Sequence, residues 1–197
     1  ILPNSAFQES ISWKLIKENK YKLSSCPEKL IERNSESKKQ KIFFIGDSHT
    51  AHLRELIGQT SACLREVAYA HTGGARFPSV KWSHPRYMTI KDINFWNNSL
   101  LGAYKKAIKK MDAGDVLVIS SSIYTLFDKN NNDFPGIAYY SDNVMISNME
   151  AGSLWLRDLD QIAENLGQRN INIVVFMPLP YFGTSNTKPI AGQCSRE

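Results

Sequence analysis

The stretch Lys41-Ile-Phe-Phe-Ile-Gly-Asp-Ser-His-Thr-Ala-His-Leu53 limits the folds open to this chain more than any other. Ile42 to Ile45 form an unbroken run of β-branched and aromatic residues. Such a run suits a strand covered on both faces, as in a parallel sheet. Gly46 and Asp47 interrupt it, and from Ser48 onward Leu53, Leu56 and Ile57 fall on one helical face. The segment therefore predicts strand, tight turn, helix. A serine on that turn has two uses. Its hydroxyl can project clear of the sheet as a nucleophile, with free N–H groups of the helix start beside it to hold an oxyanion. Asp47 or Ser48 can equally be an ordinary helix N-cap that satisfies backbone donors.

The remaining chain supplies the partners of that unit. Arg65 to Ala70 reads as a second strand, followed by His71-Thr72-Gly73-Gly74-Ala75. Paired glycines after a strand let backbone approach a ligand closely, or simply make a turn. Phe77 to Thr89 has no clear period and reads as an irregular wall. Ile93, Trp96, Leu100, Ala103 and Ala107 recur at helical spacing, and Asp115 to Ser120 forms a strand announced by Ala113-Gly114. Phe127 to Asn148, rich in Asn, Asp and Tyr, reads as a long surface loop. A helix carrying Trp155, Leu159, Ile162 and Leu166 follows, closing near Gly167, and then a buried strand from Ile171 to Met177. This order predicts a three-layer α/β/α fold around a parallel sheet, flavodoxin-like in plan. Residues 1–40, ending in the polar Asn34 to Lys41 run, read as a connecting arm, and 41–197 as the domain.

Composition narrows the function classes. With 42% hydrophobic and 22% charged residues, the 197-residue chain has the balance of a globular domain. No apolar run approaches the roughly 18 residues of a membrane span, and no signal peptide is visible. The net charge of +5 is spread over Lys38, Lys39 and Lys41 and over Lys105, Lys106, Lys109 and Lys110. No aromatic residues interleave with these lysines, so solvated faces are expected rather than a nucleic-acid platform. Cys26, Cys63 and Cys194 lack the close pairing of a zinc site, and no metal or other cofactor is expected. One disulfide plus an orphan, or three free thiols, fits the count.

Gly46-Asp47-Ser48-His49 resembles the first block of the SGNH (GDSL-like) hydrolase superfamily. The longer string Phe-Ile-Gly-Asp-Ser-His-Thr-Ala-His-Leu is most similar to the SGNH domain fused to integral-membrane sugar O-acyltransferases of acyltransferase family 3. The resemblance is strongest at this block, fair over residues 41 to 125 and weak elsewhere. It implies that Ser48 is the catalytic nucleophile, with Asp47 and His49 positioning the turn. A glycine of the second block, Gly74 or Gly73, would share the oxyanion hole with the serine's own N–H. The third block usually reads Gly-x-Asn-Asp. This chain has Ser122-Ile123-Tyr124-Thr125 instead, so a Ser122 donor would have to stand in. Losing one oxyanion donor costs about 10²–10³ in rate.

The general base is the open point. His49, adjacent in sequence to Ser48, diverges from it, His52 lies over the helix side, His71 ends the second strand, and His84 falls in the irregular wall. The family supplies its base from an Asp-x-x-His block that the sequence to Glu197 does not contain. The chain is therefore expected to be C-terminally incomplete and inactive, or nearly so, as it stands. The implied function is O-acyl, most simply O-acetyl, transfer to a cell-surface polysaccharide at the periplasmic or extracytoplasmic face. The implied partners are a glycan acceptor and an acyl donor delivered by an integral-membrane acyltransferase domain. A free carbohydrate esterase and a non-catalytic glycan-binding domain are the alternatives.

Overall fold

The computed structural model describes residues 40–47, 49–50, 53, 56–57, 66–71, 75–78, 80–83, 90–123, 126 and 138–176. Its centre is a parallel sheet built from β1 (Lys41–Gly46), β2 (Glu66–His71), β5 (Val116–Ser120) and β8 (Asn172–Phe176), in the order β2-β1-β5-β8. The β1 run is buried from Phe43 onward, as its composition requires. Phe43 and Ile45 point to one face and Phe44 to the other.

Helices α1 (Ile90–Ile108) and α2 (Asn148–Gly167) lie on the face of Phe43 and Ile45. There Leu100, Ala103, Ala107 and Leu166 pack with Leu117 and Ile119, and Trp96, Leu159 and Ile162 border them. The opposite face carries Phe44, Val67 and Val118 under Ile57 and Leu53. Residues 49–50 and 56–57 are helical, and Ile57 N–H donates to Leu53 O at 2.8 Å. Both faces of the sheet are thus covered, and the chain has the three-layer α/β/α arrangement expected of it.

Two expectations need correction. The stretch from Ala75 into the Phe77–Thr89 wall, together with the Phe127–Asn148 loop, contains a second, antiparallel sheet. It comprises β3 (Ala75–Arg76), β4 (Val80–Ser83), β6 (Ala138–Ser141) and β7 (Val144–Ile146), in the order β3-β4-β6-β7. These strands have two to four residues, too few for a sequence period to register. The second correction concerns β8. Among the described strands it lies at the sheet's end and has alternating exposure, Ile173 and Val175 packing inward while Val174 and Phe176 face out.

Both ends of β1 are tied by buried aspartates. At its start, the Asp115 carboxylate accepts from Lys41 N–H at 2.9 Å and from Asp112 N–H at 2.7 Å. Its far end is held by Asp47. The arm assigned to residues 1–40 lies outside the described residues except for Gln40, and 177–197 lie outside them entirely.

Candidate functional site

In a sheet of this order, the chain leaves β1 to one side for β2 and then crosses to the other side for β5. The crevice beyond the carboxyl ends of β1 and β5 is where such sheets bind ligands. Register brings three residues level at that edge: Gly46 pairs with His71 of β2 and with Ser120 of β5.

Gly46 is required there for space. A Cβ at this position would lie 1.8 Å from Ser120 O and 2.6 Å from Thr50 Oγ1. The contact is close because Thr50 Oγ1 donates to Ser120 O at 2.9 Å, clamping the turn against β5. Thr50 N–H also donates to Asp47 O at 3.0 Å, closing the first helical turn.

Asp47 is the hub of the corner and is 1% exposed. One carboxylate oxygen, Oδ1, accepts from the backbone N–H of His49 at 2.9 Å, an N-cap bond, and meets His49 Nδ1 at 3.0 Å. The other, Oδ2, accepts from Ser122 N–H at 2.7 Å and from Ser122 Oγ at 2.8 Å. These partners lie two and seventy-five positions along the chain, so one carboxylate joins the end of β1 to the end of β5. Burial alone would push its pKa up. The hydrogen bond and charge of His49, with the N–H groups of Ser122 and His49, outweigh this and hold it below 3.8.

Ser122 is itself pinned from behind. Its carbonyl accepts from Arg76 Nε at 2.5 Å, and Ile123 N–H turns back to Ser121 O at 2.9 Å. Of the residues expected at the site, the structure brings together Asp47, His49 and Ser122. Ser122 directs both of its donors at Asp47. In this arrangement it holds the carboxylate, and an outward oxyanion donor would require its hydroxyl to turn away. His71 reaches the same sheet edge, stacked on Tyr69 with ring centroids 5.9 Å apart. Ser48, Gly73, Gly74, His52 and His84 lie outside the described residues.

Arg76 and Thr50 hold this corner without having been pointed to by the sequence. Arg76 carried a faint signal, a lone cation between Gly73-Gly74-Ala75 and Phe77-Pro78. Among the described residues, no group of three His, Cys, Asp or Glu side chains is placed to hold a metal ion. No helix among them is long and apolar enough to cross a membrane.

Fold and corner together define an α/β protein with a candidate site at the switch point of its parallel sheet. Comparison with protein-family models, with curated proteins and with solved structures finds no match.

Proposed function

We propose that this chain is an SGNH-type, serine-dependent O-acyltransferase domain acting on a cell-surface polysaccharide at the extracytoplasmic face of a membrane. The observation that carries the reading is the locked corner at the end of β1. Gly46 and Asp47 are immobilised against β5 by the Thr50–Ser120 and Asp47–Ser122 bonds, and Ser48 is the next residue in the chain. A nucleophile gains most from a support that does not move as charge develops on the substrate.

In this scheme Ser48 Oγ attacks the carbonyl carbon of an activated acyl group, passing its proton to a base as the donor's leaving group departs. A sugar hydroxyl then attacks the acyl-serine and regenerates Ser48. The N–H groups of Ser48 and Gly74, or Gly73, would hold the tetrahedral oxyanion. By the family resemblance, the base would come from an Asp-x-x-His block outside this sequence, and the acyl donor from a membrane acyltransferase domain.

A second, non-catalytic reading as a glycan-binding domain draws support from Ser122, whose two donors are both engaged by Asp47. Treating the full-length protein with a fluorophosphonate probe separates the two. Time-dependent labelling that vanishes in Ser48→Ala supports acyl transfer, whereas an unlabelled native protein leaves glycan binding. Offering an acylated donor with and without sugar then distinguishes transfer from simple ester hydrolysis.

A further inference from the structure

Arg76 has no place in the scheme above, and its surroundings are unusual for a cation. It is 2% exposed, on the short strand β3, with its guanidinium 5.5 Å from the centre of the fully buried Tyr139 ring. Taking a guanidinium out of water costs several kcal/mol unless directed acceptors and polarisable neighbours offset it. An apolar side chain of similar length would fill the space without that cost. What it could not do is donate to the Ser122 carbonyl. Burial also removes Arg76 from direct contact with a dissolved anionic substrate. The group acts on the protein.

Its target is the residue that holds Asp47. Ser122 is gripped at three points: N–H and Oγ on Asp47 Oδ2, and carbonyl on Arg76 Nε. The N–H and the carbonyl flank its Cα along the backbone, and the hydroxyl is its side chain. Together they fix both backbone torsions of Ser122. Freed on the carbonyl side, the peptide could rotate, and the N–H and hydroxyl would lose their common aim at Oδ2. The chain Arg76, Ser122, Asp47, His49 is thus a continuous set of hydrogen bonds from the antiparallel sheet to the corner at the end of β1.

We propose that Arg76 is a positioning residue of this site: through Ser122 it locks the Asp47 carboxylate against the β1 turn and so couples the antiparallel sheet to the presentation of Ser48. The link to reactivity rests on the acyl-transfer reading; the locking of Asp47 does not.

Two measurements on the full-length protein test it, each made on native protein, Arg76→Met and Arg76→Lys. One follows the Asp47 carboxyl carbon by NMR against pH, and the other follows the rate of fluorophosphonate labelling of Ser48. Arg76→Met is expected to raise the Asp47 titration midpoint by about one pH unit as the Ser122 donors drift. Labelling is expected to slow about 10- to 100-fold, the scale of a misplacement of about an ångström. Arg76→Lys, which keeps the charge without the planar Nε donor, should fall between native and Arg76→Met in both. A purely space-filling Arg76 would lower thermal stability and leave the Asp47 midpoint of the folded protein where it was.

An unmoved midpoint and labelling rate in folded Arg76→Met overturns the proposal. Should Arg76→Met not fold, Arg76→Lys decides by the same criterion. If native protein takes no label but the midpoint still rises in the variant, the lock stands and the acyl-transfer reading falls.

Discussion

At the scale of single residues, Asp47 does the most with the fewest atoms. Two oxygens take four contacts from His49 and Ser122, and the pKa that results has a consequence for stability. In the unfolded chain this carboxyl would take up its proton near 3.8, while in the native state it remains charged to lower pH. Its contribution is therefore complete above the unfolded value and is lost as pH falls through the native one. Urea unfolding at a series of pH values should show stability declining below about pH 4. Asp47→Asn is expected to flatten that decline and to cost about 2 kcal/mol at neutral pH, because buried donors lose a charged acceptor. A variant with the native acid limb would show that other carboxylates govern it. Gly46 belongs to the same scale, and there the demand is steric: the Ser120 carbonyl occupies the place of a side chain.

Among the elements, the hairpin β6–β7 shows how local backbone chemistry builds a strand pair that hydrophobic pattern does not announce. Its turn residues Asp142 and Asn143 have φ of 48° and 67°, the left-handed pair of a type I′ turn. Asp and Asn tolerate that region better than other L-residues, and glycine better still. Asn143→Gly is expected to leave the melting temperature unchanged or raise it. Asn143→Val should destabilise the protein by about 1–2 kcal/mol, and thermal unfolding of the two variants reads the difference directly. The reverse order would mean that the turn is not held in this conformation. In α2 the start is set by a full capping box. Ser147 Oγ accepts from Glu150 N–H at 3.2 Å, and the Glu150 carboxylate accepts from Ser147 N–H at 2.8 Å. That pattern was present in the sequence, in a stretch otherwise read as the end of a loop.

At the scale of the whole molecule, the parallel and antiparallel sheets are joined by a few specific bonds. Arg76 reaches Ser122, and Trp155 of α2 donates from Nε1 to Phe77 O at 2.8 Å while packing with Ile123, Leu126 and Tyr139. Trp155→Phe keeps most of the packing but leaves a buried carbonyl without its donor. It should cost about 2 kcal/mol in denaturant unfolding. A loss under about 0.5 kcal/mol would mean the joint is held by packing alone.

The sequence by itself determined the parallel sheet, the two long helices and the place of the turn after β1. Those features are written in local periodicity, over runs long enough for period 2, period 3.6 or unbroken apolarity to stand out. Gly46-Asp47 was legible for the same reason, since the strand ends there and residues 49–50 are already helical. The fastening of that turn was decided only by the tertiary structure. Asp47 and Ser122 are seventy-five positions apart, Arg76 and Ser122 forty-six, and nothing local in either pair signals the other. The antiparallel sheet belongs to the same category. Its strands are too short to carry a period, and its two local pairs, β3–β4 and β6–β7, become one sheet only because β4 and β6 are brought together from distant parts of the chain.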